Sequence, residues 1–173
     1  MASYYYLLAS LPELKKDGAL PISYDNFLEL CNNAVNRTVY RNLSELTVEN
    51  GGGSLSEKWC SFCSDVKKEI CRLRNINLGK QAASSDIKHP ATSKLAEAVM
   101  HAENPLKAEK ILLEAQFDYL DSLMSLHFFD DTVLYGYAIK LRLLERQSLF
   151  DTELGKSEFR RLFDNIQQQI QNI

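Results

Sequence analysis

No uninterrupted apolar run in this chain approaches the roughly 20 residues needed to span a bilayer, so no transmembrane helix is expected. The opening Met1-Ala-Ser-Tyr-Tyr-Tyr-Leu-Leu8 lacks the basic region of a secretion signal. Nor is positive charge in excess: 20 Lys and Arg against 23 Asp and Glu give a net charge of -3, which provides no footprint for nucleic acid. The densest basic cluster, Lys67, Lys68, Arg72 and Arg74, is interleaved with Asp65 and Glu69 and reads as a solvated helix face. Gly51-Gly52-Gly53 has neither the preceding strand nor the following Lys-Ser/Thr pair of a phosphate loop. It reads instead as a flexible break. These absences predict a cytoplasmic protein that reaches a membrane only through partners.

Hydrophobic residues make up 45% and charged residues 25% of the 173, proportions of a folded chain with a sizeable core. The apolar residues recur at helical spacing and nowhere in a convincing strand alternation. Asp131–Phe150 is the best patterned stretch. Val133, Leu134, Tyr137, Leu141, Leu144 and Ser148 fall on one face, away from Lys140, Arg142, Glu145 and Arg146.

Ser23 is a good N-cap for a helix carrying Phe27, Leu28, Cys31, Ala34 and Val35, with Asn36 at its end. A short helix over Val39–Leu46 follows from a Thr38 cap. Ser54 with Glu57 has the form of a capping box before Trp59, Cys63, Val66, Ile70 and Leu73. Further helices are expected over Thr92–Ala102 and, from the Asn104-Pro105 start signal, over Leu106–Leu126. After a turn at Asp151–Gly155, a last helix places Phe159, Leu162, Phe163, Ile166 and Ile170 opposite Arg160, Arg161, Gln167 and Gln168. Tyr4, Tyr5 and Tyr6 read as packing residues. The fold class is therefore all-α, an irregular helical bundle in one domain over 1–173, with a boundary between two small lobes placed near 77–91.

Cys60-Ser-Phe-Cys63 is the sharpest chemical motif, since a C-x-x-C pair can bind zinc or cycle as a dithiol. A structural zinc needs four ligands, and no second C-x-x-C or spaced histidine pair supplies them; Cys71, His89 or His101 would have to be recruited. The four cysteines read as free thiols, with no cofactor and no catalytic group expected. His89, His101 and His127 accompany no nucleophile motif. Asp130 and Asp131 read as the cap of the helix that follows them. The charged residues Lys140, Arg142, Glu145 and Arg146 are the candidates for contacts with a partner or with neighbouring helices.

Three stretches carry a family resemblance: Tyr4-Tyr-Tyr-Leu-Leu-Ala-Ser-Leu-Pro-Glu-Leu14 with Phe27-Leu-Glu-Leu-Cys31; Asn104-Pro-Leu-Lys-Ala-Glu109; and Phe128-Phe-Asp-Asp through Tyr135 to Lys140-Leu-Arg-Leu-Leu-Glu-Arg-Gln147, continuing to Gly155. Together they make the sequence similar to a bacterial family encoded among the subunits of V-type ATPases. Its members are short counterparts of the funnel-like component that sits between the rotary shaft and the membrane ring of those enzymes. Tyr137, Glu145 and Arg146 are similar in kind to residues of a late helix of that funnel, at a different spacing.

The resemblance implies a non-catalytic helical adaptor on the central stalk. Such an adaptor passes rotation from the shaft of the soluble ATPase head to the membrane ring during ion transport. Its partners would be shaft and ring subunits, without nucleic acid and without direct membrane insertion. It would lie in the cytoplasm, peripheral to the inner membrane. Two other readings stay open beside it: a cytoplasmic helical enzyme or metal protein using Cys60 and Cys63, and a free-standing helical interaction module.

Overall fold

The computed structural model describes residues 4–80, 91–150 and 152–171, the last segment with side chains for 155–169. Eight α-helices and no strand occur among the described residues. They are α1 (Tyr5–Ser10), α2 (Tyr24–Asn32), α3 (Arg37–Ser44), α4 (Ser56–Asn77), α5 (Ala91–Met100), α6 (Pro105–Met124), α7 (Asp131–Ser148) and α8 (Thr152–Gln171), with a 3-10 turn at Gly53–Leu55 before α4. The all-α expectation holds. No helix among the described residues is long and apolar enough to cross a membrane.

Helix α7 is the axis of the body. It packs against α2, α3, α6 and the 3-10 turn, so its burial runs round more than one face. Leu134, Leu141 and Leu144 of the predicted stripe are buried, Val133 and Tyr137 are half-buried, and Ser148 is exposed. Tyr135, Ala138, Ile139 and Leu143, outside that stripe, are buried as well. Gly136 lets α6 approach closely: a Cβ there would lie 2.1 Å from the Met124 sulfur.

Side-chain caps open four helices. Ser23 Oγ accepts from Asn26 N–H at 3.2 Å, Asn36 Oδ1 from Val39 N–H at 2.8 Å, Asn104 Oδ1 from Lys107 N–H at 2.8 Å, and Asp130 Oδ1 from Val133 N–H at 3.1 Å. Asn36 therefore starts α3 rather than ending α2, which stops at Asn32. It displaces Thr38 as the cap because its short amide reaches the third amide of the new turn.

The glycine run is a packed turn and not a flexible break. Gly51 and Gly52 are buried, and a Cβ on Gly53 would lie 2.0 Å from the Tyr135 ring. Gly51 and Gly53 take φ of 58° and 50°, the left-handed region that glycine enters without strain. The Ser54–Glu57 capping box does not form either. Ser54 sits in the 3-10 turn, 3.1 Å from the Thr132 hydroxyl, and α4 begins two residues later without a side-chain cap. Thr152–Gly155, expected as a turn, belongs to α8.

The basic cluster of α4 also differs from expectation. Lys67, Lys68 and Arg74 are exposed, whereas Asp65 and Glu69 are buried and Arg72 is partly so. Arg72 donates to both oxygens of Glu69 at 2.8 and 2.6 Å, and Ser93 of α5 donates to Glu69 Oε1 at 3.1 Å. This side of α4 faces α5 rather than water, so its carboxylates need fixed donors. The expected lobe boundary near 77–91 lies for the most part outside the described residues; α4 and α5, on either side of it, pack together.

Candidate interaction surfaces

Cys60 and Cys63 lie one turn apart near the start of α4. The Cys60 thiol donates to the backbone carbonyls of Glu49 and Asn50, both at 3.3 Å. Cys63 lines a cleft, and burial pushes its thiol up to about 12. His101 Nδ1 is 2.8 Å from the Glu97 carbonyl and His127 Nδ1 is 2.6 Å from Asp130 Oδ2, while His89 lies outside the described residues. No group of three or more metal-ligating side chains comes together among the described residues. Cys31 is fully buried, Cys71 is exposed, and all four thiols are free.

The four charged residues of α7 are engaged within the chain. Lys140 Nζ reaches Asp121 Oδ1 at 2.5 Å and lies 5.2 Å from the centre of the Phe117 ring. Arg146 pairs with Glu109 of α6 at 2.9 Å. Glu145 Oε1 accepts from the backbone N–H of Tyr24 at 2.7 Å, while Arg142 donates to Glu145 Oε2 at 3.1 Å. The Arg142 guanidinium lies 3.5 Å from the Tyr24 ring centre, where the negative face of the ring attracts it. The Tyr24 hydroxyl in turn donates to the Leu43 carbonyl at 2.8 Å. A carboxylate on the first amide of α2 is electrostatically matched to the positive end of that helix, so Glu145 acts as a remote cap. The structure thus brings Arg142 and Glu145 together at one interhelix junction and sends Lys140 and Arg146 to separate partners on α6.

The N-terminal end of α7 lies beside large exposed apolar side chains. Of the three tyrosines expected to pack, only Tyr4 is buried; Tyr5 is half exposed and Tyr6 is 88% exposed. The reason is helical: α1 is a single short helix lying on the surface, so adjacent residues point in different directions. Burial, with the neighbouring Asp131 carboxylate, pushes the Tyr4 phenol up to about 12. The Tyr4 amide donates to the Phe129 carbonyl at 2.7 Å, and the Tyr5 ring meets Phe129 edge-on at 4.7 Å. Tyr6 continues the aromatic row, 5.5 Å from Tyr5.

Leu126 and Phe128, from the same α6–α7 loop, are 87% and 79% exposed. Phe129 has φ of 54°, a left-handed conformation that costs a side-chain-bearing residue about 1–2 kcal/mol. Exposed apolar side chains gathered beside a strained backbone make this corner the candidate interaction surface. The sequence held the signal in Tyr4-Tyr-Tyr6 and Phe128-Phe129, but only the backbone contact joins the two segments.

A cleft of about 220 Å³ lies between α4 and α6, walled by Phe62, Val66 and Leu112. Gln116, which is buried, lines it, and its Oε1 has no hydrogen-bond partner. Comparison with known proteins found no matching family model, no matching curated protein and no matching solved structure.

Proposed function

We propose that this protein is a non-catalytic central-stalk adaptor of a V-type ATPase, coupling the rotary shaft of the soluble head to the membrane ring. One observation carries the reading. Two of the three stretches that resemble the ATPase-linked family, the tyrosine-rich start and the Phe128-Phe129 segment, meet at a single aromatic corner through the Tyr4–Phe129 hydrogen bond. Surface aromatics of this kind supply large contact area at low side-chain entropy cost, as a protein-binding element requires. Shared segments that converge on a surface are what an interaction module needs. The buried body behind them gives a rigid mount for transmitting torque.

The test is affinity purification of the tagged protein from its native host, with ATP-driven ion transport measured in membranes of a deletion strain. Shaft and ring subunits are expected in the eluate, with transport uncoupled from hydrolysis in the deletion. A Tyr6→Ala and Phe128→Ala double variant should lose the partners while keeping its fold. A protein that recovers no ATPase subunit, with coupling intact after its deletion, would overturn the reading. Stoichiometric zinc in protein purified without added metal would instead favour the Cys60 and Cys63 reading.

A further inference from the structure

The cleft between α4 and α6 combines a buried apolar floor with a charged rim. Phe62, Val66 and Gln116 are buried, Leu112 is half-buried, and Glu49 and Lys67 are exposed beside them. Two other hollows lack this combination. The one between α6 and α7 holds about 10 Å³, room for roughly one water. The one on α3 is lined by that helix alone, with Arg37, Thr38, Arg41 and Ser44 all exposed.

Size limits what the α4–α6 cleft can take. Its volume of about 220 Å³ exceeds the roughly 150 Å³ of an apolar cavity that holds benzene, and falls short of the roughly 300 Å³ at which pockets for larger ligands begin. One ring with a short substituent fits. The wall suits a ring, because Phe62 is fixed by stacking on Tyr119, with centroids 4.1 Å and planes 13° apart. Gln116 is buried with its Oε1 unpaired, an acceptor that gains from any donor brought to it.

Charge decides the substituent. Lys67, Arg146 and Glu49 are the charged residues of the lining, and the same three act electrostatically on the Cys63 thiol. Two cations against one carboxylate leave positive charge in excess. Lys67 donates to Glu49 at 2.9 Å and Arg146 to Glu109 at 2.9 Å, which leaves donors free on both, since an ammonium and a guanidinium carry several each. A guanidinium also matches a carboxylate in shape.

We infer that the α4–α6 cleft binds a small aromatic carboxylate, its ring against Phe62, Val66 and Leu112 and its carboxylate on Arg146, with Lys67 beside it. The inference does not rest on the ATPase reading, since no residue of the aromatic corner lines the cleft.

Titration of the full chain with benzoate, followed by the amide signals in NMR, tests it. Benzoate should bind with a Kd of about 1 mM or tighter and shift the signals of Phe62, Val66 and Leu112. Benzylamine, the same ring with a cation in place of the carboxylate, should bind at least about tenfold more weakly. Arg146→Gln should weaken benzoate by at least about tenfold, and Leu112→Trp, which places an indole in the cleft, should weaken it as well. Circular dichroism checks that each variant keeps its helices; Arg146 is partly exposed, so its substitution keeps the test open if Leu112→Trp unfolds the chain. A wild type that shows no binding up to about 10 mM benzoate overturns the inference, as do equal affinities for benzoate and benzylamine. Shifts confined to Arg37 and Arg41 of α3, or binding that survives Arg146→Gln undiminished, overturn it too.

Discussion

Helices α7 and α8 are nearly equal in length and both amphipathic in sequence, yet one is buried on several faces and the other is exposed along all its described side chains. The difference lies in what surrounds them. Helix α7 meets α2, α3, α6 and the 3-10 turn, while α8 makes no comparable contact among the described residues. Spacing reports that a helix has an apolar face; it does not report whether the covering surface belongs to the same chain. In α7 the apolar residues stabilise the fold, and in α8 those described lie exposed.

Substitutions at the two helices should separate these roles sharply. Leu141→Ala, at a fully buried position of α7, should cost about 2–5 kcal/mol of unfolding free energy in urea denaturation. A cost under about 1 kcal/mol would mean that α7 is not the axis of the core.

Next comes Gly53→Ala, which strikes the surface that α7 presents to the glycine turn. The new methyl meets the Tyr135 ring in a left-handed backbone, so a loss of about 2–3 kcal/mol is expected in the same measurement. An unchanged midpoint would restore the picture of a flexible linker.

Glu69→Gln should cost about 1–3 kcal/mol and should do so in a pH-dependent way. The Arg72 hydrogen bond, followed by that of Ser93, holds the Glu69 carboxyl below the usual glutamate range in spite of burial. A folded-state value below the unfolded one means that the stabilisation is fully present above about pH 4.3 and is lost as pH falls through the folded value. Stability curves of wild type and variant should therefore converge in acid. Parallel curves down to the acid transition would remove Glu69 as a paired carboxylate.

The smallest effect is expected on α8. Phe163→Ser should change the unfolding free energy of the monomer by no more than about 0.5 kcal/mol, since its ring is half exposed. A loss comparable to that of Leu141→Ala would erase the contrast between the helices.

The elements with local determinants were legible in the sequence. Ser23, Asn104 and Asp130 cap the helices that their spacing announced, because a cap acts over three residues. Helix periodicity located α7 and α8 for the same reason. What failed was whatever depends on residues far away. Gly53 looks permissive until Tyr135 is placed on it, and Ser54 looks like a cap until Thr132, 78 residues on, takes its hydroxyl. Glu69 resembled a surface acid because Ser93 could not be set beside it from spacing alone. The candidate surface was half legible: both aromatic segments stood out, but Tyr5 and Tyr6 read as core because a terminal aromatic run has the same composition whether it is covered or bare.

The remote cap on α2 bears on how the chain folds as well as on what holds it together. Glu145 lies 121 positions beyond the Tyr24 amide that it accepts. A ribosome-bound chain exposes α2 long before the carboxylate that completes its first turn exists, and the Leu43 carbonyl alone cannot position the Tyr24 ring under Arg142. Closure of so long a loop belongs late in folding, where high sequence separation slows the search. A nascent chain stalled before Glu145 should therefore leave the first amide of α2 without its carboxylate and α2 more open to protease than in the full chain.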